Sequence, residues 1–379
     1  MPYITVKQSP IFHQISFDDI ISGEVNLADL AVPNETNTRT YFVQVVNPKF
    51  VAKFDIYGMA VALEKFCEAH ADLYEANRSD LYDKFYIPKK SGGLREINAP
   101  LPPLMSALRD LKSIFENKMQ VLYHTSAFAY VPGRSTIDSV KRHQMNESHW
   151  FLKTDFSDFF GSTTPEFLYS MLTRIFPFSE IVDYPAGERA LKKALDLCFL
   201  NGGLPQGTPI SPMLTNLMMI PIDHRITNCL RDYHGKHYIY TRYADDSLFS
   251  CRRDFDKNEI IDFINSTLAE FKAPFKIKDE KTRYGSRAGS NWNLGVMLNK
   301  DNKITIGHKN KQRLRAMICN YILDRQNKHP WQLHDVQVLQ GLINYYSMVE
   351  KDYVEGVIKY NNEKFHTNVY KCLHEDLNM

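Results

Sequence analysis

The chain has 379 residues, 44% of them hydrophobic and 24% charged, with a formal net charge of +2. That length can bury the cores of two or three domains, and so even a charge balance excludes a protein that works through one global positive field; any nucleic-acid surface must be local. Six scattered cysteines without a Cys-x-x-Cys pair argue against a zinc site or a disulfide framework, and neither a secretion leader nor a run of ~18 apolar residues is present, so a cytoplasmic protein is expected.

Residues 1 to 80 hold the short apolar run "YFVQVV" and then "GMAVALEKFCEAHADLY", whose spacing predicts a helix, but no chemical motif. At 85 to 103, "FYIPKKSGGLREINAPLPP" reads as two extended runs around a Ser-Gly-Gly turn, a basic β-hairpin. In the next stretch, "PPLMSALRDLKSIFENKMQVLY", Leu104, Leu108, Leu111, Phe115 and Met119 fall on one helical face. A strand "WFLKTD" ends at Asp155. The break "NGGLPQGTPISPML" starts at Asn201, with Ser211 expected as N-cap and Pro212 as first residue of the next helix.

"YADD", residues 243 to 246, lies between "HYIYTR" and "SLFSC", which predicts a hairpin with Asp245 and Asp246 at or near its tip. Aspartate is also a common turn residue, so this pair alone says little. Next, Ile260, Ile261, Ile264, Leu268 and Phe271 mark a helical face; "WNLGVMLN" and "KITIG" read as a strand pair turning at Lys300, Asp301 and Asn302; and helices are expected near 309 to 325 and 332 to 350. Strands and hairpins interleaved with helices predict an α+β fold rather than a doubly wound parallel sheet.

Asp155, at a strand end, can meet Asp245 and Asp246 if the strands are neighbours. Clustered carboxylates repel and are costly to desolvate, so such a group persists where it holds divalent cations. Two Mg²⁺ ions roughly 3.5–4 Å apart would activate an attacking 3′-hydroxyl and stabilise a leaving pyrophosphate, which is what nucleotide addition requires.

In that order, "KTDFSDFF", "GGLPQGTPISPMLTNL" and "YADD" resemble the palm motifs of reverse transcriptases, and "FYIPKKSGGLREI" resembles their fingers hairpin. The resemblance runs from about residue 82 to 350. It implies a right-hand polymerase fold: an N-terminal extension over 1–80, fingers and palm over 81–290, and a primer-grip hairpin with a helical thumb over 291–379. Asp155 and Asp245 would be the principal metal ligands, with Asp246 beside them and the carbonyl of Phe156 completing one site. The cofactor would be two Mg²⁺ ions, with Mn²⁺ as a substitute.

The resemblance also implies that Gln206 lies over the incoming nucleotide, with Gly207 allowing close backbone approach. Lys89 or Lys90 together with Arg95 would clamp the triphosphate, a task suited to the guanidinium fork. Phe160, five residues after Asp155, matches the steric gate that excludes a 2′-hydroxyl; at least one of Phe156, Phe159 and Phe160 must instead be core. Lys281 resembles the lysine that protonates pyrophosphate, and "NLGVMLN" with Trp292 resembles the primer grip. Lys309, Lys311, Arg313 and Arg315, in the acid-free run "HKNKQRLR", would track a duplex backbone.

Beyond the expected thumb there is no room for a ribonuclease H or endonuclease domain, an expectation that points to compact bacterial enzymes of the retron and group II intron-like superfamily. The retron signature Asn-Ala-x-x-His is matched only at its histidine, His143, with Ser139 and Val140 in front. Asn293-Leu294-Gly295 stands where retron enzymes carry Val-Thr-Gly. These departures favour a defence-associated reverse transcriptase of the unknown-group kind. Its partners would be a noncoding RNA template, a DNA product and deoxynucleotides, with no membrane and with a homo-oligomer or an accessory defence protein in addition. A template-independent polymerase of phage resistance and a maturase-like RNA-binding factor are the alternatives.

Overall fold

The computed structural model describes residues 3–8, 11–16, 43–46, 54–88, 92–231, 233–287 and 296–378. Lys89, Lys90, Trp292 and the Asn293-Leu294-Gly295 segment lie outside the described residues. Strands β1 (Tyr3–Gln8), β2 (Ile11–Ser16) and β3 (Val43–Val46) form a small antiparallel sheet in the order β2-β1-β3. Helix α1 (Ile56–Ala69) starts at Asp55, whose carboxylate accepts from the Gly58 amide at 2.8 Å. The basic hairpin is β4 (Tyr82–Pro88) and β5 (Leu94–Pro100), paired without slippage from Tyr82↔Pro100 to Pro88↔Leu94.

Prolines at its first turn open α2 (Pro102–Ser113), which continues through a wider π-type turn, Ile114–Lys118. Leu104, Leu108, Leu111, Phe115 and Met119 are all fully buried. Such side chains contribute about 1.5–3 kcal/mol each relative to an exposed position, so this stripe locks the hairpin's root to the core. Helix α3 (Thr136–Met145) begins with a capping box in which Ser135 and Asp138 satisfy each other's backbone amides.

The site is carried by a four-stranded antiparallel sheet in the order β7-β8-β6-β9, comprising β6 (Trp150–Asp155), β7 (Ile239–Tyr243), β8 (Asp246–Cys251) and β9 (Arg283–Ser286). The two central strands are the two that end in carboxylates. Helices α4 (Pro165–Leu172), α5 (Pro185–Asp196), α6 (Ser211–Met218), α7 (Ile220–Leu230) and α8 (Lys257–Glu270) contribute, with α1 and α2, to one large apolar core. Ile260, Ile264, Leu268 and Phe271 of the predicted face are buried in it.

The start of α6 corrects one expectation. Ser211 is the first helical residue and not the cap, and Ile210 at the cap position has no side chain to offer. The Thr208 hydroxyl instead accepts from the Ser211 amide at 3.2 Å. A hydroxyl three residues upstream can therefore do the capping that the sequence assigned to the serine.

A second core holds the C-terminal helices α9 (His308–Gln326), α10 (Leu333–Phe365) and α11 (Val369–Leu377). It is preceded by the short pair β10 (Met297–Leu298) and β11 (Ile304–Thr305), turning where predicted, with Asn302 at φ +59°. Helix α10 runs well past its expected end and bends at Glu350, whose carboxylate accepts from the Ile306 amide and the Thr305 hydroxyl, each at 2.8 Å. A third apolar cluster, Val140, Phe151, Leu248, Val296 and Leu298 with Tyr345 and Val349 against it, joins the sheet to α10. No helix among the described residues is long and apolar enough to cross a membrane.

Candidate active site

Register brings the carboxylates together. Asp155, the last residue of β6, pairs directly with Asp246, the first of β8. The β7–β8 connection is only Ala244 and Asp245, because Tyr243 pairs with Asp246. A two-residue hairpin turn that follows the strand twist needs a positive φ, and Ala244 supplies it at +56°. The Phe156 amide then donates to the Asp245 carbonyl at 3.1 Å, tying the turn to the end of β6.

The three acids are not equivalent. Burial, then the charge of Asp155, pushes the Asp245 carboxyl above its usual range, with Lys281 acting against them. Asp155 is itself buried and is held by Lys281 Nζ at 2.9 and 3.0 Å and by Lys278 Nζ at 3.4 Å. Asp246 turns the other way, to Lys153 Nζ at 2.9 Å. Among the described residues no three His, Cys, Asp or Glu side chains are grouped closely enough to cage a metal ion. Asp155 and Asp245 form an open pair, fit for a cation that takes its remaining oxygens from backbone and substrate, as Mg²⁺ commonly does at phosphate sites. Two lysine ammonium groups occupy the position of counter-charge on Asp155.

A cavity of about 1160 Å³ opens in front of this pair, lined by Asp245 and Lys281 on one side and by Arg95, Phe160 and Gln206 on the other. Phe156 and Phe159 are core, packed together and against Phe275, whereas Phe160 is only partly buried and faces the cavity. All three aromatics border the cavity, and Phe160 is the most accessible of them. Burial alone would depress the Lys281 ammonium; its hydrogen bond to Asp155 and the charges of Asp155, Asp245 and Asp246 raise it instead, so it stays an ammonium. Tyr130, at φ +57° and exposed, is a further neighbour: burial of its hydroxyl and the charges of Tyr243 and Asp245 raise its pKa, and Arg95 lowers it.

Gly207 makes a close backbone approach within the chain itself. At φ +119°, a Cβ there would come within 2.8 Å of the Asn98 carbonyl oxygen and 2.9 Å of Ile97 Cγ2. Its close approach is to the fingers hairpin, where the Asn98 amide also donates to the Gln206 carbonyl at 2.8 Å. Gly203 behaves alike toward Gly161, next to Phe160. The two glycines hold Gln206, Phe160 and the hairpin in one frame.

The basic run of α9 does not form one surface. At ~100° per residue, Lys309 and Arg313 share one face while Lys311 and Arg315 lie roughly 200° away. Lys311 is committed to Glu350 at 2.6 Å and to the Tyr353 ring, and Arg315 lines a cleft against α10. Lys309, Arg313 and Arg315 are exposed, and Lys311 is partly buried. His143 is likewise a core residue: its ring nitrogens meet Ser250 Oγ at 2.6 Å and Thr241 Oγ1 at 2.8 Å, and burial lowers its pKa to about 3.

Sequence reasoning missed the network beneath the turn. Arg242 and Asp223 form a fully buried ion pair at 2.7 Å, and Asn216 and Tyr240 complete the network. A signal existed: Asp223 sits in the same helical stripe as Met219, Ile226 and Leu230, and a carboxylate facing a core needs a cation there.

A family profile described as reverse transcriptase (RNA-dependent DNA polymerase) matches residues 87–314, more than half of the chain. The chain belongs to the reverse transcriptase family. Its enzyme class is accordingly RNA-directed DNA polymerase, and the family in general uses divalent metal ions. Among curated proteins, the retron Ec83 reverse transcriptase of Escherichia coli is 28% identical over 73% of this chain and 86% of its own length. The retron Mx65 reverse transcriptase of Myxococcus xanthus is 28% identical over 88% of this chain and 75% of its own length. The similarity is therefore to bacterial enzymes of the retron type, the group from which Ser139, Val140 and Asn293-Leu294-Gly295 pointed away. A telomerase from Candida albicans, solved with a TWJ fragment of telomeric RNA, has a TM-score of 0.43 at 10% identity; 78% of this chain is covered and 63% of that one.

Proposed function

We propose that this reverse transcriptase copies an associated, structured noncoding RNA into DNA by two-metal-ion nucleotidyl transfer, in defence against phage. The observation that carries the chemistry is the cavity shared by Asp245, Lys281, Arg95, Phe160 and Gln206. Asp155, Asp245 and the Phe156 carbonyl would hold the two Mg²⁺ ions, with Asp246 contributing once it leaves Lys153. When bound, the ions lower the pKa of the primer 3′-hydroxyl and neutralise the pyrophosphate that departs.

The chain's own groups do the rest. Arg95, exposed on β5, presents a fork of donors to the triphosphate, with Lys89 or Lys90 alongside. Phe160 lies beneath the sugar and leaves no room for a 2′-hydroxyl, while Gln206 covers the nucleotide. Lys281 gives up Asp155 and turns its proton to the leaving pyrophosphate, a short move for a side chain on the cavity wall. Selective use of one template rests on shape recognition of folded RNA, because a net charge of +2 gives weak grip on arbitrary strands. The retron names of the relatives support a dedicated RNA.

The test is to sequence RNA and DNA crosslinked to the protein in its native host, alongside primer extension on that RNA with each divalent ion. One enriched RNA with matching complementary DNA supports the proposal. A broad sample of transcripts without complementary DNA favours a maturase-like role, and DNA with no matching RNA favours template-independent synthesis.

A further inference from the structure

The catalytic turn stands on a buried brace. Arg242, the residue before Tyr243, is 1% exposed, and its Nε and Nη2 make three hydrogen bonds to the Asp223 carboxylate at 2.7 to 3.2 Å. The remaining nitrogen, Nη1, donates to two oxygens at 3.1 Å each: the Ala244 carbonyl and Asn216 Oδ1. Asn216 Nδ2 in turn donates to the Ala129 carbonyl at 2.7 Å, and Tyr240 donates its hydroxyl to Asp223 at 2.8 Å. The backbone of Arg242 closes the same circuit, its amide donating to Ser126 and its carbonyl accepting from Phe128.

This arrangement is costly for something merely structural. Apolar residues of similar volume could fill the space at no loss of stability, since desolvating two charges offsets much of their attraction. What apolar residues could not do is hold the Ala244 carbonyl. That carbonyl belongs to the peptide unit linking Ala244 to Asp245, in a turn whose first residue is a non-glycine at positive φ. Such a conformation persists only where its surroundings over-determine it. Rotation of that peptide unit would move Asp245 relative to Asp155 and tilt the donor pair.

We infer that Arg242, fixed by Asp223 and Asn216, is a positioning residue that sets Asp245 against Asp155 and couples the metal-binding turn to the Ser126–Ala129 segment and, through it, to Tyr130. Resting on the metal reading above, this adds a second layer to the site: the ligand geometry is dictated from inside the core, by groups that touch neither metal nor nucleotide. The guanidinium fork is what the task demands, because one side chain must face a carboxylate and two separate oxygens at once.

The test compares the full chain with the neutral double variant Asp223→Asn/Arg242→Gln, with Arg242→Lys, and with Asp245→Asn as a control. Thermal melting reports folding, Mn²⁺ binding is followed by electron paramagnetic resonance, and single-nucleotide incorporation is resolved into kcat and KM. In the folded double variant, Mn²⁺ affinity and kcat should each fall about 10- to 100-fold, the usual cost of losing groups that orient a metal ligand, while the KM for deoxynucleotide stays nearly constant. Arg242→Lys, which keeps the charge but not the fork, should fall in between. A folded double variant with wild-type Mn²⁺ affinity and kcat overturns the inference. Should the double variant not fold, Arg242→Lys decides by the same two readouts. If Asp245→Asn itself keeps wild-type Mn²⁺ affinity and rate, the metal reading fails and not the brace alone.

Discussion

Beneath the Ala244–Asp245 turn, the side chains of Arg242 and Asp223 are fully buried and bonded three times over; above it, the side chain of Lys281 is 48% exposed against Asp155 at the rim of the cavity. The chemistry is alike and the consequence opposite. A pair sealed from water cannot trade partners, because either charge left alone would be stranded in a medium of low dielectric. A pair open to water exchanges readily, and its lysine can give way to another cation. The turn is thus fixed from below and exchangeable from above.

Removing the upper carboxylates should have the largest effect, and on activity alone. Asp155→Asn or Asp245→Asn is expected to lower incorporation roughly a thousandfold or more, about 4 kcal/mol of barrier. Urea midpoints should barely move, since Lys281, half-exposed, can turn to water when Asp155 loses its charge, and neutralising Asp245 removes a carboxylate that burial and the charge of Asp155 already disfavour. The lower pair should respond in reverse. Asp223→Ala strands a buried guanidinium and should cost about 3–5 kcal/mol in urea denaturation; equal loss in Arg242→Gln/Asp223→Asn would contradict the sealed-pair account.

Within the cavity, Phe160→Val opens space without touching either pair. The kcat/KM ratio of ribonucleotide to deoxynucleotide should rise about 10- to 200-fold, the range a pocket gains from small changes in shape. An unchanged ratio would reassign Phe160 to the core with Phe159. A smaller effect should come from His143, another sealed polar group. Its folded pKa, lowered to about 3, lies below the ordinary 6.5, so the unfolded chain binds more protons between those values and stability is lost as pH falls through that window. His143→Gln should flatten this part of the stability-versus-pH curve relative to wild type.

The upper side was far more legible in the sequence than the lower. Asp155 and Asp245 end or join strands whose β-branched and aromatic residues announce them, and ordered motifs carry Arg95, Phe160 and Gln206. Register did the rest, since a direct Asp155↔Asp246 pairing arises once β6 and β8 are neighbours. Strand β9 and helices α4 and α5 went unread because their segments lie between motifs. Lys278 escaped notice because an extended lysine looks like any surface lysine until Asp155 is seen beside it. Arg242 was hidden by its neighbours: next to "YADD" it reads as one more basic residue, and only Asp223, brought near by the packing of α7 on β7, shows that it is buried. The split of the α9 basic run was readable from helical spacing alone, but the commitment of Lys311 to Glu350 needed the bend in α10.

Mn²⁺ binding to the nucleotide-free protein, titrated by electron paramagnetic resonance in wild type, Asp155→Asn and Lys281→Ala, tests the exchange at Asp155 most directly. The account predicts that Asp155→Asn weakens binding by at least about tenfold, whereas Lys281→Ala binds as tightly as wild type or a few-fold more tightly, the ion no longer competing with the ammonium. Unchanged affinity in Asp155→Asn, or a loss in Lys281→Ala as large as that expected of Asp155→Asn, would contradict it.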